Sequence, residues 1–236
     1  MNPGQLPRTK TVLKDVNATP LLPEIITATR KGKYHEVEKL LVKPKIDVLN
    51  ECLERGQKTV IFITLIQNTL IPICQWLEQH EYSFCVYTGG EKEAKEAGFS
   101  DSLDEFINGK TEVLVASVQC AGTGVDGLQS VCNRAIFFQL PWTSTEYEQA
   151  IGRLDRDGTE FESVQVFLPI TNIHLPNGEQ WSWCQSKLDR IRSKKDIAKA
   201  AVDGEMPDAT SMITPQEARK YWLNWLKKLE EKSRIP

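Results

Sequence analysis

Five short apolar runs punctuate the middle of the chain. They are KTVIFITL (58–65), SFCVYTGG (83–90), EVLVAS (112–117), RAIFFQL (134–140) and SVQVFLPI (163–170). Continuous rather than alternating, and rich in β-branched and aromatic residues, they read as strands buried on both faces. Between them the period changes. Residues 68–80 place Leu70, Ile73, Cys74 and Leu77 on one helical face. Residues 100–109 turn Leu103, Phe106 and Ile107 inward, with Gly109 following. Thr143 or Ser144 is placed to cap a helix running through Arg153. Upstream, helical periodicity begins near Glu36, Pro44 suits the first turn of a helix through Ile46, Leu49 and Leu53, and Gly56 is its stop. Strand and helix alternating through short loops predict an α/β domain with a mostly parallel sheet flanked by helices.

The flanks read differently. Residues 1–35, broken by Pro3, Pro7, Pro20 and Pro23, are expected to be loosely ordered. Residues 179–200 predict a helix with a basic far end, and 203–213 a loop. Thr214-Pro215-Gln216-Glu217 predicts the start of a last helix carrying Tyr221, Trp222, Trp225 and Leu229 as a packing stripe. The chain thus divides into an N-terminal extension (1–40), an α/β domain (41–172) and a helical C-terminal extension (173–236).

Composition narrows the class without naming an activity. No apolar run approaches the ~20 residues of a membrane span, and the first ten residues have no apolar core of a signal peptide. The expected location is therefore intracellular: cytoplasmic, or nuclear in a eukaryote, with no membrane partner. Six cysteines lie at 52, 74, 85, 120, 132 and 184 without a CxxC pair, so no metal site is expected and buried thiols are. The net charge of −3 is unevenly spread. Residues 46–186 hold eight Lys and Arg against 20 Asp and Glu, whereas 1–45 hold nine against four and 187–236 twelve against eight. A nucleic-acid contact would therefore draw on the basic ends and on backbone amides.

In a parallel α/β sheet, function gathers at the carboxyl ends of the strands. Here these are Thr64, Thr88–Gly90, Ser117 onward and Leu140–Trp142. Two stretches stand out there. Gly122, Gly124 and Gly127 form a glycine-rich loop (121–127) whose amides suit an anion, with Ser117 before it and Asp126 within it to accept from a ribose hydroxyl or orient an arginine. On a continuous helix, Gln149, Arg153 and Arg156 would share one face, and two guanidiniums on one face call for an anion such as a triphosphate. The alternative is ordinary surface pairing of these arginines with Asp155, Asp157 or Glu160. Although GTGVDG spells GxGxxG, no early βαβ unit or ribose-binding acid accompanies it, and no GxxxxGK[ST] occurs anywhere.

The order of these pieces resembles the C-terminal, second RecA-like domain of superfamily 2 helicases. Ser117…Gly122-Thr-Gly124-Val-Asp126 resembles motif V, Gln149-x-x-Gly152-Arg153-x-x-Arg156 motif VI, and Thr59–Thr64 motif IV. Gly158 and the Asn133…Pro141-Trp142 connection lean toward the Swi/Snf-type ATPases, although Asp126-Gly127-Leu128 departs from their usual Asn-Leu. The resemblance covers about residues 45–172. It implies a RecA-like lobe that meets a first lobe carrying the P-loop and DExx motifs, with ATP and Mg2+ bound only in the complete two-lobe motor and not tightly by this chain. It implies that Arg153 and Arg156 act catalytically on the γ-phosphate, that Gln149, Gly124 and Asp126 belong to the nucleotide site, and that Thr64, Thr88, Gly89 and Ser117 touch the backbone of DNA, with RNA as the alternative. Asp104-Glu105 mimics a DExx motif but falls inside a predicted helix, where it reads as surface.

The expected function is thus the arginine-donating half of a nucleic-acid-dependent ATPase, inactive alone. Its first rival is a stand-alone nucleic-acid- or protein-binding adaptor with a vestigial helicase fold. A complete phosphoryl transferase is a weaker rival, because only Asp126 is well placed among the carboxylates such an enzyme would need.

Overall fold

The computed structural model describes residues 9–64, 66, 68–90, 92–175, 177–189, 191 and 215–233. The elements begin with β1 (Lys10–Asn17), α1 (Leu22–Arg30), α2 (Tyr34–Asp47), α3 (Leu49–Cys52), β2 (Thr59–Ile63), α4 (Leu70–Gln79), β3 (Phe84–Tyr87), α5 (Lys92–Glu96) and α6 (Leu103–Ile107). They continue with β4 (Val113–Ser117), α7 (Val118–Gly124), α8 (Leu128–Val131), β5 (Arg134–Phe137), α9 (Ser144–Ile151), β6 (Gln165–His174), β7 (Gln180–Trp181), α10 (183–189) and α11 (Pro215–Ser233).

Two compact units share these elements. The first takes described residues within Met1–Lys14, Lys45–Pro141 and Glu146–Pro169; the second takes those within Asp15–Pro44, Trp142–Thr145 and Ile170–Pro236. The sheet order is β1-β6-β5-β2-β4-β3. In the first unit β2 is central and parallel to β4 and β5, β3 is parallel to β4, and β6 is parallel to β5. All residues of β2, β4 and β5 are buried, as their continuous apolar runs predict. Phe62 and Phe137, from neighbouring strands, meet at 4.9 Å between ring centroids. Each such fully buried side chain contributes about 1.5–3 kcal/mol. The mostly parallel sheet with flanking helices is the RecA-like fold expected from the sequence.

The second unit has its own core, in which Ile25 and Ile26 of α1, Val37 and Leu41 of α2, and Leu226 and Leu229 of α11 pack together. Arg30 and Glu230 pair at 2.9 Å. Trp222 and Trp225 stack at 5.3 Å, and Trp183 lies 4.7 and 5.4 Å from them. The expected packing stripe on α11 therefore holds for Trp222, Trp225 and Leu229, which are buried, while Tyr221 stays exposed.

Several local expectations are corrected. Residues 10–30 are ordered, not loose. β1 pairs with β6, Lys10 N donating to Val164 O at 2.8 Å and Ala18 N to Asn172 O at 2.7 Å, so the two strands advance in step. Val16 is its only buried residue, so the strand rests on backbone bonds and shows no apolar period. Pro20 and Pro23, read as breakers, sit in first helical turns, where a missing N–H costs nothing. Pro44 lies inside α2 rather than at a helix start, and the helical path ends three residues later. The glycine-rich loop is largely helical, because Val118–Gly124 forms α7 and only Val125–Gly127 separates it from α8. Residues 180–181 form a strand antiparallel to β6, and the next helix begins at 183. The basic end of the predicted 179–200 helix, the 203–213 loop and Thr214 lie outside the described residues.

None of the six cysteines forms a disulfide, and all except the half-buried Cys120 are buried. Burial pushes the Cys52 thiol up to about 11 and those of Cys74, Cys85 and Cys132 up to about 12. A raised thiol stays protonated, hence unreactive, until pH approaches that value. A thiol reagent at pH 8 is expected to label Cys120 first and the other five only on unfolding. Several fast-labelling native thiols, or a fast phase that survives Cys120→Ser, would contradict this.

Candidate nucleotide and nucleic-acid site

Parallel register brings the predicted residues to one edge. Ile63 pairs with Ser117, and Tyr87 with Ala116, so Thr64, Thr88 and Ser117 all leave the sheet at its carboxyl end. Their hydroxyls differ in availability. Thr88 is 1% exposed, and its N–H donates to Asp101 Oδ1 at 2.7 Å, with its hydroxyl 3.4 Å from the same oxygen. Thr64 is half-buried, and Gln139 Oε1 accepts from its N–H at 3.1 Å and its hydroxyl at 3.3 Å. Gln139 Nε2 then donates to Thr69 Oγ1 at 3.0 Å. Ser117 is buried at the β4–α7 junction.

Gly89 follows with φ +73°, a conformation that disfavours side chains. A Cβ there would stand 2.5 Å from Cys120 Sγ, and that thiol donates to Thr88 O at 3.0 Å. Asp101, Gln139 and Cys120 were not singled out from sequence. No spacing marks them, because their partners are backbone groups and side chains brought close only by the sheet.

The arginines converge by a route the sequence did not suggest. α9 ends at Ile151, so Arg153 and Arg156 lie on the turn that follows, not on one helical face. Gly152 N and Asp155 N close the last bonds, to Glu148 O at 2.8 Å and Ile151 O at 2.9 Å. Leu154, fully buried, seats the turn, and Tyr147 of α9 meets Phe137 at 4.6 Å. From this turn Arg153 Nη1 donates to Val125 O at 3.1 Å and stands 3.6 Å from Asp126 Oδ1, while Arg156 Nη1 pairs with the same oxygen. Asp126 therefore faces both arginines through one carboxylate oxygen. Gln149 is exposed on α9, and Gly124 is the last residue of α7.

Two guanidiniums thus face one carboxylate oxygen. Asp126 is 80% and Arg156 49% exposed, so these are solvent-screened pairs worth about 0–1 kcal/mol, ready to exchange an oxygen of Asp126 for one of a phosphate. That donor set fits a polyphosphate. Among the described residues, no three His, Cys, Asp or Glu side chains converge. Asp104 and Glu105 are exposed on α6, with Asp104 bound to Asn108 at 2.6 Å, so the DExx mimic is helix surface.

Residues 44–158 match the model of the helicase conserved C-terminal domain. That segment is a helicase C-terminal domain. The chain is 36% identical over 163 residues to an uncharacterized ATP-dependent helicase, YqhH, of Bacillus subtilis, covering 69% of this chain and 26% of that protein. It is 29% identical over 150 residues to the mouse ATP-dependent RNA helicase DDX4, covering 63% of this chain and 19% of that protein. The chain thus spans about a quarter or less of the length of these relatives. Among solved structures, the C-terminal part of the Fun30 ATPase domain shares its fold, with a TM-score of 0.53 and 18% identity over 80% of this chain and 54% of that one. No described helix is long and apolar enough to cross a membrane.

The arginine turn and the sheet interior should respond unequally to truncation. Arg134, 9% exposed, donates to Cys52 O at 3.1 Å and Gln165 Oε1 at 3.0 Å. Arg134→Ala is expected to cost about 2–3 kcal/mol of stability, and Asp126→Ala under about 1 kcal/mol. Urea midpoints measure both. An equal loss in Asp126→Ala would make the arginine turn a structural staple instead of a binding site.

Proposed function

We propose that this chain is the arginine-donating second lobe of an ATP-dependent nucleic-acid motor and that, alone, it turns over no ATP. The observation that carries this reading is the convergence of Arg153 and Arg156 on Asp126 at the carboxyl edge of a helicase C-terminal domain. The partner it requires is a first lobe with a P-loop and an acidic magnesium-binding motif, because no GxxxxGK[ST] occurs in the sequence.

When bound, magnesium–ATP supplies the scissile phosphoryl group and the charge that builds on it. Asp126 keeps both guanidiniums extended from the turn before a phosphate arrives. Arg153 and Arg156 then lend fixed positive charge to the transferring group, which is where an arginine finger acts. Gln149, exposed beside them, orients the nucleotide or the facing lobe, and Gly124 with Asp126 joins that site to the strand ends. Thr64, Thr88, Gly89 and Ser117 form the nucleic-acid edge. The bonds of Thr88 to Asp101 leave the backbone amides around Gly89, more than the Thr88 hydroxyl, to donate to a phosphate backbone. Such contacts bind without sequence preference.

Double-stranded DNA is the proposed track, supported by Gly158 and the Asn133…Pro141-Trp142 connection, which resemble those of the Swi/Snf-type ATPases. The mouse relative's name, an RNA helicase, favours RNA as the second reading.

Turnover of ATP should be negligible for the chain alone and appear when a P-loop lobe is added, with more stimulation by double-stranded DNA than by RNA. Arg153→Ala or Arg156→Ala should lower kcat in the mixture by roughly 10³–10⁵-fold. Robust turnover by the chain alone, or mixed activity indifferent to both substitutions, would refute the motor reading and favour an adaptor. Greater stimulation by RNA would reassign the track.

A further inference from the structure

The arginine turn has a third anchor that the helicase motifs do not contain. Asp155, between the two arginines, accepts a hydrogen bond at Oδ2 from the Thr9 hydroxyl at 3.0 Å. The two residues are 146 positions apart in the chain. Thr9 immediately precedes β1, and the next residue begins the pairing with the segment leading into β6, Lys10 N donating to Val164 O at 2.8 Å. The other carboxylate oxygen of Asp155, Oδ1, is buried and has no hydrogen-bond partner. A buried, unpaired carboxylate oxygen is unfavourable and persists where its neighbours hold it in place. Here the neighbours are Leu154, fully buried beside it, and the Thr9 hydroxyl on its other oxygen.

We infer that Thr9 is a positioning residue for the arginine turn: through Asp155 it sets the direction in which Arg153 and Arg156 leave the turn. The inference rests on the proposed role of those arginines for its effect on turnover, but the brace itself stands on geometry alone. Beyond the backbone bonds of residues 152–155 to α9, side-chain contacts act on the few residues between α9 and Gly158. Leu154 anchors the turn in the core, Asp126 and the Val125 carbonyl hold the arginine heads, and Thr9 holds the side chain between them. Asp126 is itself an exposed side chain, so its hold on the arginine heads is solvent-screened. Thr9 precedes a paired strand and ties the turn to the sheet. The strand β1 therefore acts as a handle on the arginine turn, so a pull or a bound partner on β1 would be felt there.

Thr9 is exposed, which makes it a mild site to change. Thr9→Val keeps the shape and removes the donor, whereas Thr9→Ser keeps the donor. Amide hydrogen exchange on the full chain reads the brace directly. Loss of one charge-assisted bond is expected to speed exchange across residues 153–159 by roughly tenfold in Thr9→Val, with β2 and β4 unchanged, and Thr9→Ser should exchange as the parent does. With a P-loop lobe and ATP, Thr9→Val should lower kcat severalfold and leave KM unchanged, and Thr9→Ser should restore it. Unchanged exchange in Thr9→Val overturns the brace. Faster exchange with full kcat overturns its positioning role, provided Arg153→Ala abolishes turnover in the same mixture. If Arg153→Ala leaves turnover intact, the arginine-donating reading has failed instead, and the exchange data alone decide the brace.

Discussion

Backbone pairing of β2 between two parallel neighbours is the constraint on which the rest of the first unit depends. A parallel strand with no freedom to slip fixes where its neighbours end. Ile63 opposite Ser117, and Phe62 opposite Phe137, bring three connections to one edge of the sheet. A one-residue slip would turn every side chain of a strand to the other face. With β2, β4 and β5 buried on both faces, such a slip is resisted by shape as well as by hydrogen bonds. Polar side chains then finish what register begins. Gln139 bridges Thr64 and Thr69, and Asp101 holds Thr88, so the loops leave the sheet in set directions.

Electrostatics adds a second layer. The central part of the chain carries far more acid than base, yet two of its eight Lys and Arg side chains meet on a single carboxylate oxygen. Arg134 shows what a structural arginine looks like in the same unit: buried, bonded to a carbonyl and an amide, and lying 4.9 Å over the Phe167 ring. Arg156 has none of that enclosure. An arginine left half-exposed on a solvated partner contributes little to folding and remains available to an incoming anion.

Strand positions were legible because burial on both faces writes itself as unbroken apolar runs, and the helicase C-terminal assignment followed from the order of several motifs. β1 was not legible: of its side chains only Val16 is buried, and the bonds that make it a strand belong to the backbone. Nor was the path of the arginines. Spacing of three and four suggested a helix through Arg156, but the chain leaves the helix after Ile151, and the residues converge through the turn. The same limit applies to Val118–Gly124, where glycines suggested a loop and the chain starts a helix directly off β4. Partners distant in sequence, such as Asp101 for Thr88 or Thr9 for Asp155, carry no local signature.

The crowding of indoles in the second unit has an optical consequence. Five of the six tryptophans, all but Trp76, belong to that unit, and neighbouring rings there lie 4.7–5.7 Å apart. Rings so close exchange excitation and couple their transition dipoles. Intrinsic emission and near-ultraviolet dichroism of this chain therefore report chiefly on the second unit, and the first unit enters through Trp76 as its one tryptophan.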